Sequence, residues 1–300
     1  MTVHKWDSVP EPRGAVHVIH GMAEHARRYS RFASALNECG YVVWAHDQRG
    51  HGQNPTPPVG LGHFADRDGW RALIDDAASV SDRMHATFPQ LPLFLFAHSM
   101  GSFVAQSLMA EQGQRYGGIV LAGSDGPRGA SEAVIRILAV LQRFVLGGRK
   151  PGVWLDSLVF DKYNRQFQPN RTSFDWLSRD PREVDMYLND ELCGFPLTSQ
   201  SWFDFLVGKA QLVTNEHVDR IPKSLPIYII GGTRDPVGDN SKGLKRLRNL
   251  YEKRGLTQVR HRFYEDARHE LLNETNRDDV TREIIRWIDV ISGNNRLSDM

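Results

Sequence analysis

The chemistry this sequence can be read for rests on one serine, one histidine and one of two aspartates. Ser99 stands in Leu93-Phe94-Leu95-Phe96-Ala97-His98-Ser99-Met100-Gly101-Ser102-Phe103-Val104-Ala105, where an apolar strand runs into a tight turn that opens a helix. So sharp a corner needs small residues two before and two after its apex, and Ala97 and Gly101 supply them. The run predicts an elbow that presents a nucleophile, with Ala97 in place of the more usual first glycine. A serine hydroxyl is a weak nucleophile at neutral pH; it requires a base, a group that orients the base, and donors for the oxyanion that develops. His269, in Glu265-Asp266-Ala267-Arg268-His269-Glu270 just beyond the last strand, is the candidate base. Asp235 follows Ile229-Ile230-Gly231-Gly232-Thr233-Arg234 at another strand end and is the favoured acid, while Asp125, after Ile119-Val120-Leu121-Ala122-Gly123-Ser124, remains its rival. The oxyanion donors expected are the N–H of Met100, next after the nucleophile, and that of Met22, in the His20-Gly21-Met22 turn after an early strand.

Other ionisable residues are expected to be structural. His98 adjoins the nucleophile but should point away from it and pack beside the strand; His20, His46 and His51 fall in turns, where hydrogen bonding explains them. The spacings His20 to His25 and His46 to His51 do not suit a shared ion, and Cys39 and Cys193 have no Cys or His at ligand spacing, so neither a metal site nor a disulfide is expected, nor any cofactor. With 37 Lys and Arg against 36 Asp and Glu, no global field favours nucleic acid or anionic lipid, so a partner must be recognised locally. The basic run Lys242, Lys245, Arg246, Arg248, Lys253, Arg254 alternates with Leu244, Leu247, Leu250 and Tyr251 at helical spacing and reads as the solvated face of an amphipathic helix. The first residues lack the charged start and apolar run of a signal peptide, no run of ~20 apolar residues occurs, and the two cysteines fit a reducing compartment; a soluble cytoplasmic protein is the expectation.

The elements that must hold these residues follow from periodicity. Continuous apolar runs at 15–20, 41–47, 93–99, 118–123 and 226–232 read as strands covered on both faces, 259–265 reads as a further strand, and helical spacing fills 28–39, 70–88, 241–254 and part of 273–291. Alternation of this kind predicts an α/β protein with a mostly parallel central sheet, helices on both faces, and an inserted helical cap. Residues 1–125 and 223–300 would form the core and 126–222 the cap, placed as a lid over the strand ends where such sheets bind ligands. The apolar run from Ala133 to Leu141 with Phe144-Val145-Leu146 either contacts an acyl chain or a lipid surface or forms the cap's own core; on the first reading Leu138 and Leu141 touch substrate. Trp154, Trp176 and Trp202 are further candidates for an apolar pocket wall.

With these residues assembled, the chain resembles the α/β-hydrolase superfamily, in which the nucleophile, acid and base occur in the order Ser, Asp, His. Within it, the chain is similar to the monoacylglycerol lipase and lysophospholipase branch, also described as serine aminopeptidase-like. His20-Gly21-Met22-Ala23-Glu24-His25-Ala26-Arg27-Arg28-Tyr29, Asp47-Gln48-Arg49-Gly50-His51-Gly52 and His98-Ser99-Met100-Gly101 carry that likeness, and Leu177-Ser178-Arg179-Asp180, Glu183-Val184-Asp185 and Tyr187 extend it into the cap. The resemblance implies a cofactor-free carboxylester hydrolase for a small-molecule, single-chain acyl ester, with Tyr187 among the substrate-binding residues. Three readings stay open beside it: a generic short-chain esterase, an aminopeptidase or amidase whose ammonium site would be Asp180, Glu183 and Asp185, and a non-catalytic binding module. Only Val3 to Trp6 precedes the first core strand, which would leave a sheet edge open to pairing in a homodimer.

Overall fold

The computed structural model describes residues 1–293, apart from the side chains of residues 130 and 131; the last seven residues of the expected core, 294–300, lie outside the described residues. Seven strands form one sheet in the order β1-β3-β2-β4-β5-β6-β7. They are β1 (Val3–Trp6), β2 (Gly14–Ile19), β3 (Tyr41–His46), β4 (Leu93–His98), β5 (Tyr116–Ala122), β6 (Ile227–Gly232) and β7 (Val259–Tyr264). Only β1 is antiparallel to its neighbour; every other pairing is parallel.

The apolar runs divide between two cores because successive side chains point to opposite faces. From β3, β4 and β5, Val42, Trp44, Leu95, Ala97, Ile119 and Leu121 join one core, while Val43, Phe94, Phe96 and Val120 join the other. Helices α1 (Ser30–Glu38) and α11 (Arg277–Ile291) contribute Phe32, Leu36, Ile284 and Ile288 to the second core. Helices α2 (Gly69–Thr87), α3 (Met100–Gln112) and α10 (Lys242–Lys253) cover the first with Leu73, Val104, Leu108, Leu244 and Leu247. The basic residues of α10 thus lie on the far side of a helix anchored by its leucines and Tyr251.

Between β5 and β6 the chain leaves the sheet and builds α4 (Ala130–Leu146), α5 (Val153–Asp156), α6 (Lys162–Asn164), α7 (Pro181–Leu188), α8 (Ser199–Leu212) and α9 (Asn215–Asp219). From α5 to α6 the helical path is continuous, its middle, Ser157–Asp161, being wound to π pitch. Such widened turns recur where a helix borders a functional site. α8 begins on the Thr198 side chain, which accepts from Ser201 N–H, and α7 on Asp180, which accepts from Arg182 N–H ahead of a proline at the first turn. Helix α8 packs its Trp202, Phe205 and Leu212 into the core shared with α2 and α3.

Both edge strands carry charge. Lys5 on β1 and Arg260, His261 and Arg262 on β7 are exposed, a pattern that discourages edge-to-edge pairing.

Candidate active site

Ser99 lies at the apex between β4 and α3 with φ 50 and ψ −120, a left-handed backbone that favours glycine. What fixes it there is close approach. Ser99 N–H donates to Ala122 O at 2.9 Å, extending the β4–β5 ladder by one step. A Cβ on Gly101 would come within 2.3 Å of Ile19 O and 2.4 Å of His20 O, so the helix can start here only with glycine in that place. Ala97, by contrast, is fully enclosed among apolar neighbours, and the fold accommodates its methyl group.

The loops after β6 and β7 bring two more side chains to Ser99. His269 Nε2 lies 2.9 Å from Ser99 Oγ, and His269 Nδ1 lies 3.0 Å from each oxygen of Asp235. Asp235 is completely buried, and its Oδ1 also accepts from Val237 N–H at 2.9 Å, which helps hold the carboxylate in place. Burial alone would lower the His269 pKa; the Asp235 charge and hydrogen bond outweigh it and hold the imidazole above its ordinary 6.5. Since Nδ1 faces a carboxylate, the proton belongs on Nδ1 and the lone pair of Nε2 faces the serine hydroxyl.

Asp125 is engaged elsewhere. Its Oδ2 pairs with Arg128 Nε at 2.5 Å and Lys209 Nζ at 2.9 Å, and Lys209 also bridges to Glu132 at 2.9 Å. Asp125 thus ties α4 and α8 to the end of β5, and the structure gives the imidazole to Asp235.

Gly21 and Met22 line the same cavity as Ser99, and a Cβ on Gly21 would touch Ser99 Cβ at 3.2 Å. Glu24 holds this turn: its Oε1 accepts from Gly21 N–H at 2.5 Å and from Tyr29 hydroxyl at 2.9 Å. Arg28 in turn bridges Glu24 and Glu270, the residue after the histidine, and the desolvated pair keeps its carboxyl groups ionised because the guanidinium lies between them. Met100 N–H opens α3, where the first amides have no carbonyl of their own helix to donate to. His98 packs beside His269, ring centres 4.6 Å apart; burial first, and then the neighbouring imidazole, lower its pKa to about 4. His20 accepts from Gln48 N–H through Nε2 and donates through Nδ1 to Gly21 O; His51 Nδ1 donates to Arg49 O, and His46 meets His17.

The cavity above Ser99 is about 370 Å³, within the range of small-molecule pockets. Its wall is mainly aromatic and aliphatic, with Phe103, Phe160, Tyr163, Trp176, Trp202 and Phe205 prominent. Trp176 lies against His269, the rings tilted at 34° with centres 5.1 Å apart. The other tryptophan considered, Trp154, is 40% exposed and does not line it. Tyr187 does line it, but its hydroxyl is spent within the protein, donating to Ala23 O at 2.9 Å and accepting from Gly194 N–H at 3.1 Å.

Two expected contacts need correction. Leu138 and Leu141 are not on the cavity wall; α4 presents Glu132 and Ile135 there instead. Leu138 packs half-buried against the core, and Leu141 is 51% exposed. At 3.6 residues per turn Leu141 lies about 120° around the helix from Ile135. The acidic group Asp180, Glu183 and Asp185 is likewise absent from the wall: these residues pair with Arg277, Arg31 and Arg171.

A family model described as serine aminopeptidase, S33, matches residues 10–276. The chain belongs to this family. As an α/β-hydrolase it is 29% identical to human monoglyceride lipase over 290 residues, covering 94% of this chain and 84% of that protein. It is 26% identical to the monoacylglycerol lipase of Mycolicibacterium smegmatis, covering 94% of this chain and 90% of that one. Among solved structures, a thermostable carboxyl esterase from Bacillus coagulans superposes with a TM-score of 0.88 at 30% identity, covering 97% of this chain and 94% of the esterase. The chain is a hydrolase of the monoglyceride lipase-like branch, as the motifs around Gly21, Gly50 and Ser99 imply. Among the described residues no helix is long and apolar enough to cross a membrane.

Proposed function

We propose that this protein is a serine carboxylester hydrolase that cleaves single-chain acyl esters of the monoacylglycerol type through an acyl-enzyme. The observation that carries this reading is the unbroken relay Ser99–His269–Asp235 at the floor of an apolar cavity. His269 Nε2 takes the Ser99 proton as Oγ attacks the ester carbonyl, and the N–H groups of Met22 and Met100 receive the oxyanion. Collapse of the tetrahedral intermediate expels the alcohol, protonated by the imidazolium. A water then attacks the acyl-enzyme with the same imidazole as base and releases the fatty acid. Asp235 holds the Nδ1 proton and offsets the positive charge that forms on the ring. Residues 126–222 act as the cap, whose Ile135, Phe160 and Trp202 would receive the acyl chain.

The outer side of α4 supports delivery from a lipid surface. Val134, Ile137, Leu141, Phe144 and Val145 are exposed, Phe144 by 88%, on the same helix whose inner side lines the cavity. Acyl esters with one chain reside in membranes or micelles, and an apolar face on a helix that also walls the cavity is suited to rest on such an interface.

The test is hydrolysis of monoacylglycerols and of p-nitrophenyl esters from acetate to palmitate, beside an aminoacyl anilide, with Ser99→Ala as blank. Ester turnover that rises beyond the shortest chains and vanishes in Ser99→Ala supports the proposal. Turnover of the anilide alone overturns it in favour of a peptidase, and a preference for acetate reduces it to a generic esterase.

A further inference from the structure

Cys193 has no candidate ligand near it in sequence, yet folding gives it two. Asp190 and Cys193 lie in the loop between α7 and α8, and His25 follows β2 in the core; a ring nitrogen of His25, a carboxylate oxygen of Asp190 and Cys193 Sγ all lie within 4.8 Å of one another. His25 Nε2 and Asp190 Oδ2 are 2.8 Å apart. The loop is already braced in this shape. Cys193 N–H donates to Asp190 O and Leu192 N–H to Asp190 Oδ1, both at 2.9 Å, which leaves Oδ2 turned to the histidine.

We propose that His25, Asp190 and Cys193 form a binding site for a thiophilic divalent cation, zinc by its chemistry, with water as fourth ligand. One imidazole nitrogen, one carboxylate oxygen and one sulfur make a donor set that suits zinc and discriminates against magnesium and calcium, which take oxygen alone. Bonds of about 2.0 Å to nitrogen and oxygen and about 2.3 Å to sulfur place tetrahedral ligands roughly 3.5 Å apart, so the present cluster closes on an ion by side-chain movement of about an ångström. Arg28 beside the site is bridged by Glu24 and Glu270, so the Asp190 carboxylate supplies the anion that meets the ion. Binding exchanges the Cys193 S–H bond for an S–metal bond with release of one proton. His25 is buried while Asp190 and Cys193 are half-buried, which leaves the ion a way in.

The site would span a seam. Gly194 N–H donates to Ala23 O at 3.0 Å, and Ala23 follows Met22, the expected oxyanion donor. An ion held by His25 from the core and by Asp190 and Cys193 from the insertion would clamp that contact.

The experiment titrates the full-length, metal-free protein with Co²⁺ and follows thiolate-to-cobalt charge-transfer absorption in the near ultraviolet, with Zn²⁺ stoichiometry by calorimetry. The expected result is one ion per chain, a cobalt band displaced by Zn²⁺ and lost in Cys193→Ser, and affinity at least tenfold weaker in His25→Gln. Cys39→Ser and Ser99→Ala should leave the band unchanged, so this inference stands or falls apart from the proposed hydrolysis. Absence of stoichiometric uptake by the folded wild-type chain overturns it. So does a band that survives Cys193→Ser or that Cys39→Ser abolishes.

Discussion

Replacing Asp235 by asparagine tests the relay at its buried end. The carboxylate is fully enclosed, with both oxygens 3.0 Å from His269 Nδ1. Charge centres about 4 Å apart at an effective dielectric constant of about 20 attract by about 4 kcal/mol, and the imidazolium that forms in the transition state loses that term. This alone is about three decades in rate. The amide adds a second loss: with its NH₂ toward Nδ1, it favours the tautomer that carries the proton on Nε2, facing Ser99. We expect kcat to fall about 10³–10⁴-fold, with the substrate KM little changed.

The pH profile should move as well. Only the neutral imidazole accepts the serine proton, so wild-type kcat/KM rises with pH through a midpoint above 6.5, because Asp235 raises the His269 pKa. In Asp235→Asn burial acts without that counterweight, and the residual activity should rise through a midpoint below 6.5. The assay is p-nitrophenyl ester hydrolysis between pH 5 and 9, normalised to correctly folded protein by circular dichroism, with Asp125→Asn in parallel. Folded Asp235→Asn that keeps more than a tenth of wild-type kcat, or a larger loss in Asp125→Asn, would refute the assignment.

Further outcomes follow from the same contacts. Gly101→Ala should destabilise the fold by about 3 kcal/mol or more and abolish ester turnover, since its methyl group meets two carbonyl oxygens at the end of β2; a thermal melt beside the ester assay checks both. Lys209→Met strips the cation shared by Asp125 and Glu132 and should cost about 3 kcal/mol in chemical denaturation, the low end of buried-pair losses because Arg128 still pairs with Asp125. The double variant Ile137→Ser, Phe144→Ser removes two exposed side chains, each worth about 1.5–3 kcal/mol when buried in an apolar medium. Co-sedimentation with phosphatidylcholine vesicles should therefore fall more than tenfold, with hydrolysis of a dissolved short-chain ester unaffected.

The strands and the triad were legible for related reasons. A sheet covered on both faces writes its strands as unbroken apolar runs, so 93–98 and 227–232 could be bounded to within a residue or so. The elbow is legible because its close approaches restrict residue type: Gly101 is dictated by two carbonyls, and positions such as Asp235 and His269 fall where strands end. Helix α4 lacks such a guide. Its charged residues Glu132, Arg136 and Arg143 share one side at helical spacing, but that side turns inward, where Glu132 reaches the cavity and Lys209 and Arg143 reaches Gln200, while Val134, Ile137 and Phe144 face outward, so the polar stripe does not mark the solvent face and Leu138 and Leu141 could not be phased. The aromatic wall was only partly foreseen, through Trp176 and Trp202, because Phe160 and Tyr163 depend on a π-wound turn that no spacing announces. The cluster at Cys193 joins residues 165 positions apart in His25 and Asp190, and only the tertiary fold brings them together.

Consider again the backbone of Ser99, at φ 50 and ψ −120. A side chain in such a region costs on the order of 1–3 kcal/mol, and the surrounding structure must overrule it. The residue best suited to the conformation is glycine, which would relieve the torsional strain and leave nothing to attack an ester. Durability and reactivity therefore pull in opposite directions at this one position. A search for heat-resistant variants scored by folding alone would drift toward an inert molecule here, so any such selection has to reward turnover together with survival.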